Sequence, residues 1–557
     1  MKSDFSALKW IYGESRRIIP AIILLSIFGI LLSSLSVSFA LVSKNVIDAA
    51  VGSLSNNVVT ESIKLAILIA AQLVLQVLVS TLDIRIVGRF AMSMRKKLFG
   101  NLLMKDYTSV NNYHSGELIN RLNSDISFVS GAVVEIIPNV LGFLVRIVLS
   151  FVALFSLDMT FALICLAIGP VVLMASYIYR RRMKGLQKKC QESDGKTRSF
   201  MQECLQNILV IKSFGNEKAV VNHSTELQNE NYRYNIKRNN VSIAANILFY
   251  IAATIVFYFA LAWGAYRILT GVITFGTLTA MLQLVGQIQI PFRSLSSIVP
   301  RYFSMIVSAE RIMEILDLPD EEDSSCSELD CERIYRDAEE IVFNNVSFAY
   351  DNTGVLDQTD LIIKKGDFIA VGGSSGIGKS TFLKLLLGII SPTSGEIYIK
   401  LKNGERIALG RRTRGIFAYV PQGNMILSGT IRDNISFSDK ALDDEYIVEC
   451  AKTAEIWEFI DSLPDKLDTV LGEKGLGLSE GQIQRIAVAR ALYHDAPIIL
   501  LDEATSALDE KTEAALLANI KNTRDKTCII VSHRKAAFEI CNKSVLINDC
   551  KFKLSAL

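Results

Sequence analysis

Three short segments carry residue types suited to handling a nucleoside triphosphate. Residues 373–380 read Gly-Ser-Ser-Gly-Ile-Gly-Lys-Ser, residues 478–482 Leu-Ser-Glu-Gly-Gln, and residues 498–503 Ile-Ile-Leu-Leu-Asp-Glu. Gly373, Gly376 and Gly378 let backbone N–H groups close around phosphate oxygens with no Cβ in the way. Ser374, Ser375 and Ile377 complete the loop. Lys379 is spaced to reach the β- and γ-phosphates, Ser380 to offer a hydroxyl to Mg²⁺, and Thr381 to bond the α-phosphate side. Asp502 stands at the end of an apolar run, placed to hold Mg²⁺ through water. Glu503 follows it, where a general base for the attacking water would stand. The bland alternative for this pair is a strand ending in two exposed acids.

The phosphate loop needs a strand before it and a helix after it. Phe368–Gly372 is a short apolar run that fits a buried strand, and Lys379–Leu387 opens a helix. Ile341–Tyr350 reads as a further strand, Ile498–Leu501 as the strand that delivers the two acids, and Thr527–Ser532 as the strand that delivers His533. A lone histidine at a strand end either meets a phosphate or is structural.

Upstream, the chain changes character. Its 557 residues exceed one ordinary domain, and 50% are hydrophobic against 21% charged, with mean hydropathy +0.32. A membrane part joined to a soluble part fits these values. A net charge of +2 gives no reason to expect a nucleic-acid partner. Nine cysteines without metal-type spacing suggest reduced thiols rather than a disulfide framework. Six runs are long and apolar enough to span a bilayer: Ile18–Val42, Ile63–Ile86, Val133–Phe155, Thr160–Tyr179, Ile243–Tyr266 and Phe275–Val299.

Basic residues precede span one and follow spans two and four, which puts the N-terminus inside and returns the chain to the cytoplasm. Arg89–Asp125 and Arg180–Asn240 read as helices continuing out of the bilayer to short tips. Charges within spans are costly. Glu135 and Arg146 lie eleven residues apart on one face of span three, as a polar cavity for an anionic substrate group or as an interhelical pair. Gln283 and Gln287 share a face of span six, as cavity lining or helix-to-helix bonds. Pro291 kinks that span or ends it. The fold expected is an α-helical transmembrane domain with six spanning helices over 1–315. A linker over 316–340 and an α/β P-loop NTPase domain over 341–557 follow.

Taken together, these residues resemble the ATP-binding cassette family, and the domain order resembles its exporter half-transporters. Leu478–Gln482 is similar to the family signature LSGGQ. The resemblance implies that Ser479, Gly481 and Gln482 act in trans on a nucleotide held by a partner's phosphate loop. It implies adenine stacking for Tyr350, and a Mg²⁺-touching, membrane-sensing glutamine for Gln422. It implies a coupling segment at Gly472–Gly475, a D-loop at Ser506–Asp509 and a γ-phosphate switch for His533. With Glu503 and Lys379, the catalytic set becomes Glu503, His533, Lys379 and Gln422. The ligands implied are ATP and Mg²⁺, and the partners a bilayer, an unidentified substrate and a second half-transporter.

A homodimer is the simpler assembly, since every ATP-site motif is intact; a heterodimer with a degenerate partner is the alternative. The location implied is a bacterial inner membrane with the ATPase cytoplasmic. Glu480 departs from the signature and must point away from the triphosphate. Family members usually continue into a further helical segment beyond the position of Leu557. ATP-driven export leads; an ATP-gated channel or regulator and an importer of exporter-like fold are the competing functions.

Overall fold

The structure is a computed structural model that describes residues 2–52, 57–321, 328–350, 353–374, 376–423, 426–437, 443–472, 477–523, 526–548 and 550–556. The chain divides into two compact units. One is Met1–Lys105 with Ser109–Leu318, the other Asp106–Thr108 with Pro319–Leu557.

The first unit is helical among the described residues. Its elements begin with α1 (Lys2–Ser15), α2 (Ile19–Ala50), α3 (Val58–Leu103), α4 (Tyr107–Asn111), whose first two residues are counted in the other unit, and α5 (Ser115–Asn120). They continue with α6 (Ile126–Leu157), α7 (Met159–Gln206), α8 (Ile208–Ser213), α9 (Glu217–Leu269) and α10 (Phe275–Leu316). Four helical stretches, Phe5–Ala50, Val58–Leu103, Ser115–Leu157 and Glu217–Leu269, are long and apolar enough to cross a membrane among the described residues. The fourth and sixth expected spans fall inside the continuous helices α7 and α10. Pro291 does not end its helix: α10 runs through Pro291 and Pro300 to Leu316. The helices continue far beyond a bilayer's thickness, as the charged extensions require. The short α4 and α8 sit where the two tips were expected.

Packing in this unit uses small residues, as is usual between apolar helices. Ser33 Oγ on α2 donates to Gly142 O on α6 at 2.9 Å, and a Cβ on Gly142 would stand 3.4 Å from Gly29 O. Asp158, between α6 and α7, is a fully enclosed carboxylate. It caps α7 through Phe161 N and accepts from Trp263 Nε1 and Arg267 Nε of α9, the last at 2.9 Å. Such a buried acid survives because every direction is matched by a donor.

In the second unit the connector is partly helical rather than plain linker. It contains α11 (Glu328–Asp337), and β1 (Ala338–Tyr350) starts before the expected boundary at 341. With β2 (Thr353–Lys364), β4 (Ser394–Leu401) and β5 (Arg406–Ala408), β1 forms an antiparallel sheet in the order β2-β1-β4-β5. The strand between them in sequence, β3 (Phe368–Gly372), belongs to the second sheet. That sheet has the order β12-β11-β3-β10-β9-β6, with β6 (Phe417–Val420), β9 (Ile498–Asp502), β10 (Thr527–Val531), β11 (Lys543–Asn548) and β12 (Lys551–Ala556). A small hairpin pairs β7 (Gly429–Thr430) with β8 (Val470–Leu471).

Strands β3, β9 and β10 are buried at every residue. That is why they read as unbroken apolar runs rather than alternating ones: parallel strands are covered on both faces. The remaining helices are α12 (Lys379–Leu386), α13 (Ile431–Ser436), α14 (Asp444–Thr453), α15 (Trp457–Ser462), α16 (Glu480–Tyr493), α17 (Glu510–Asn522) and α18 (Lys535–Ile540). None of the eight described cysteines is in a disulfide.

Candidate active site

The three parallel strands β3, β10 and β9 are adjacent, and they bring three sequence-distant segments to one sheet edge. Gly373, Gly376 and Gly378 take φ values of +144°, +79° and +110°. A Cβ at Gly378 would stand 2.4 Å from Val355 Cγ1, so sterics and backbone both demand glycine there. Helix α12 starts at Lys379 and aims its free N–H groups into the loop. Lys379 is buried; its Nζ donates to Gly373 O at 2.9 Å and Ser374 O at 3.2 Å, and stands 2.8 Å from His533 Nε2. Ser380 and Thr381 follow on the first turn, while Ser375 lies outside the described residues.

Asp502 is 2% exposed. Burial is the main influence on its carboxyl and raises its proton affinity; hydrogen bonds from Ser380 and Tyr419 and the charge of Lys379 oppose that, while Glu503 adds to it. Glu503 has φ +50°, an unusual backbone for a long side chain, held by its N–H to Val531 O at 3.0 Å. Gln422 Nε2 donates to Glu503 Oε2 at 2.6 Å, so it meets the acid expected to be the base. His533 Nε2 is 3.7 Å from Glu503 Oε1. One edge therefore gathers Lys379, Ser380, Gln422, Asp502, Glu503 and His533. Tyr350, at the end of β1, is exposed and edge-on to Phe348. Only Gly472 of the expected coupling segment lies among the described residues.

The signature segment has a second, local task. Ser479 caps α16: its Oγ accepts from Gln482 N at 3.3 Å, and Gln482 Oε1 accepts from Ser479 N at 2.8 Å. This is a capping box with Gln at its third position. Glu480 is exposed in the first turn, where the helix dipole favours a carboxylate. A Cβ on Gly481 would meet Ala507 O at 3.1 Å, so the signature packs tightly on the Ser506–Asp509 turn. Among the described residues no hydrogen bond joins Ser479, Gly481 or Gln482 to the Gly373–Thr381 loop of the same chain.

Three residues passed over in the sequence hold that turn. Gln484 donates to Ser506 Oγ at 3.0 Å and accepts from Ala507 N at 3.1 Å. Arg534, next to His533, donates to Ser506 O at 2.6 Å and to Glu513 Oε2 at 3.0 Å, and Glu513 Oε1 accepts from Thr505 Oγ1 at 2.7 Å. Glu513 is fully buried, four residues beyond Asp509 on α17. In the sequence its signal is no more than an acid four residues after Asp509. Glu513→Ala strips Arg534 and Thr505 of their shared acceptor. We expect it to cost about 2–3 kcal/mol of cassette stability, read as a lower denaturation midpoint in the full-length protein.

In the membrane unit, Glu135 is not paired with Arg146 and does not stand free in a cavity. Its Oε2 meets Arg301 Nη1 of α10 at 2.6 Å, the interhelical reading of that acid with a different partner. Arg146 Nε, Gln283 Oε1 and Gln287 Oε1 are buried without a hydrogen-bond partner among the described residues. A separate cavity of about 410 Å³ is lined by residues including Gln187, Arg238, Arg301 and Ser304.

A glycine-rich loop, a buried strand-end acid and a neighbouring glutamate, all on one mainly parallel sheet and preceded by a helical membrane unit, define a membrane ATPase. Family models agree: "ABC transporter transmembrane region" matches residues 22–292 and "ABC transporter" matches residues 356–506. An ATP-dependent lipid A-core flippase of Chromobacterium violaceum is 31% identical over 477 residues, covering 83% of this chain and 79% of the relative. ABC transporter B family member 1 of Dictyostelium discoideum is 29% identical over 475 residues, covering 84% of this chain and 51% of the relative; the chain thus spans about half its length. A solved bacterial Atm1-family ABC exporter with ATP bound superposes with a TM-score of 0.81 at 22% identity, covering 97% of this chain and 95% of that one, a likeness of fold. The chain belongs to the ABC transporter family. It is an exporter half-transporter, an integral membrane protein that binds ATP and couples its hydrolysis to transport.

Proposed function

We propose that two copies of this chain pair and export an amphipathic substrate carrying an anionic group. The observation that carries the substrate reading is the set Arg146, Gln283 and Gln287. All three place a buried polar atom, without a partner among the described residues, in otherwise apolar helices. Unmatched polar atoms at such depth are costly unless a ligand, water or another chain meets them. The Chromobacterium violaceum relative is an ATP-dependent lipid A-core flippase, which favours a lipid-like substrate.

On this reading each ATP lies between Gly373–Thr381 of one copy and Ser479, Gly481 and Gln482 of the other. That no hydrogen bond joins those segments within one chain among the described residues supports that division. Lys379 meets the β- and γ-phosphates, Thr381 the α-phosphate side, and Tyr350 stacks on adenine. Glu503 takes the proton of the attacking water, and His533 meets the γ-phosphate. Two intact copies make a homodimer. The cassette faces the cytoplasm of a bacterial inner membrane.

The residues present suit Mg²⁺. Among the described residues no group of three or more His, Cys, Asp or Glu could hold a metal by itself. Asp502 and Ser380 instead offer hard oxygens beside the phosphate loop, and Gln422 stands one acid away, a set completed by nucleotide oxygens. Bound there, Mg²⁺ neutralises charge on the β- and γ-phosphates.

Arg146→Ala in lipid nanodiscs tests the substrate reading. Stimulation of ATP turnover by anionic amphiphiles should fall about tenfold or more, from loss of a charged hydrogen bond worth roughly 1.5–3 kcal/mol, while basal turnover changes less than twofold. Equal loss of both would return Arg146 to a structural role. Uptake into inside-out vesicles checks direction.

A further inference from the structure

We infer that Tyr419 is a positioning residue for ATP hydrolysis: its phenol holds the Asp502 carboxylate in the orientation that receives the metal–nucleotide complex. The inference rests on the proposed role of Asp502 toward Mg²⁺ and adds to it a residue that no motif marks.

Tyr419 lies on β6, three residues before Gln422. Strand β6 runs parallel to β9 with Tyr419 opposite Leu500, which puts Asp502 one step further along the same face of the neighbouring strand. The Tyr419 hydroxyl donates to Asp502 Oδ2 at 3.3 Å. The terminal torsion of an aspartate is broad, so the plane of a buried carboxylate is set by its hydrogen bonds. Asp502 has two side-chain donors, Ser380 and Tyr419. The Ser380 hydroxyl is the one with a competing duty, toward Mg²⁺. Tyr419 has none, and among the described residues its hydroxyl makes no other hydrogen bond. A phenol ordinarily ionises only near about pH 10, so at neutral pH the hydroxyl is a donor.

The same short stretch governs the second acid. Gln422 holds Glu503 at 2.6 Å while Tyr419 holds Asp502, so the end of β6 fixes both adjacent carboxylates. A simpler account has Tyr419 as core packing, since its ring abuts the cluster between the two sheets. Tyr419→Phe separates the accounts, because it keeps the ring and removes one oxygen.

The experiment uses the full-length protein in nanodiscs and a fluorescent ATP analogue, titrated first in EDTA and then with Mg²⁺. Second donors to metal-ligating carboxylates typically matter by 10–100-fold in metal affinity. For Tyr419→Phe we expect unchanged nucleotide affinity in EDTA and a Mg²⁺ half-saturation raised about tenfold. Reduced kcat and little change in the KM for ATP at saturating Mg²⁺ should accompany it. A Mg²⁺ titration matching the parent protein overturns the inference. Asp502→Asn is run beside it. If that variant also titrates like the parent, the role of Asp502 itself fails. If it loses the Mg²⁺ response while Tyr419→Phe keeps it, only the assignment of Tyr419 fails.

Discussion

Glu503→Gln is expected to lower ATP turnover by about 10²–10⁴-fold, the usual contribution of a positioned general base, while nucleotide binding stays near that of the parent. The substitution is nearly isosteric. Glu503 Oε2 accepts a hydrogen bond from Gln422 Nε2 at 2.6 Å, and a glutamine carbonyl at 503 accepts the same bond. Its φ of +50° depends on the bond from its own N–H to Val531 O, which a side-chain change leaves alone. What disappears is the anionic oxygen that takes a proton. With hydrolysis blocked and ATP still bound, the paired cassettes should accumulate closed, visible as a larger assembled fraction on size exclusion in Mg²⁺-ATP. Turnover at the parent rate would remove Glu503 from the base role. Loss of nucleotide binding would instead indicate that its charge matters to loop geometry.

Lys379→Ala should act earlier. Its ammonium donates to Gly373 O and Ser374 O and lies 2.8 Å from His533 Nε2. The same group is the one expected to meet the phosphates, so ATP must draw it off the loop carbonyls. Removing it forfeits a charge-assisted hydrogen bond of roughly 1.5–3 kcal/mol, so ATP should bind about 10- to 100-fold more weakly, with hydrolysis falling further. A fluorescent-nucleotide titration checks the first figure. Parent-like affinity would mean that the backbone N–H groups and the start of α12 suffice for the triphosphate. Glu503→Gln and Lys379→Ala thus separate in one assay: the first keeps binding and loses turnover, the second loses both.

Much of the cassette was legible because its informative residues are contiguous. The phosphate loop, the Ile498–Glu503 run and the signature each carry their chemistry within eight residues or fewer, and their flanking apolar strands have the length and lack of alternation that burial on both faces imposes. Strand β3 falls on the expected Phe368–Gly372, and β9 runs one residue past the expected Leu501, to Asp502. The membrane half was legible at the scale of whole helices, since apolar length needs no partner to be seen. The connector was less so: a ten-residue helix over Glu328–Asp337 lies in an acidic stretch that composition alone assigns to loop.

Pairings across the fold were beyond the sequence. Glu135 and Arg146 share a helix face, yet Glu135 pairs with Arg301, 166 positions away, because α10 packs along α6 there. Helical periodicity names the face; only packing names the neighbour. Gln484, Glu513 and Arg534 belong to three separate helices and loops, and they converge on Ser506–Ala507 through backbone contacts that leave no spacing signature.

The amino-acid order by itself determined that this protein carries a glycine-rich loop with the form expected of a phosphate site, presents an acid pair at a strand end, and precedes them with bilayer-length helices. These are local requirements of sterics and hydration. The tertiary structure alone decided which groups face those residues: Gln422 on Glu503, Tyr419 on Asp502, His533 beside Lys379, and Arg301 on Glu135. Hydrogen bonds act over about 3 Å, and which side chains come within that reach is set by strand order and helix packing rather than by distance along the chain.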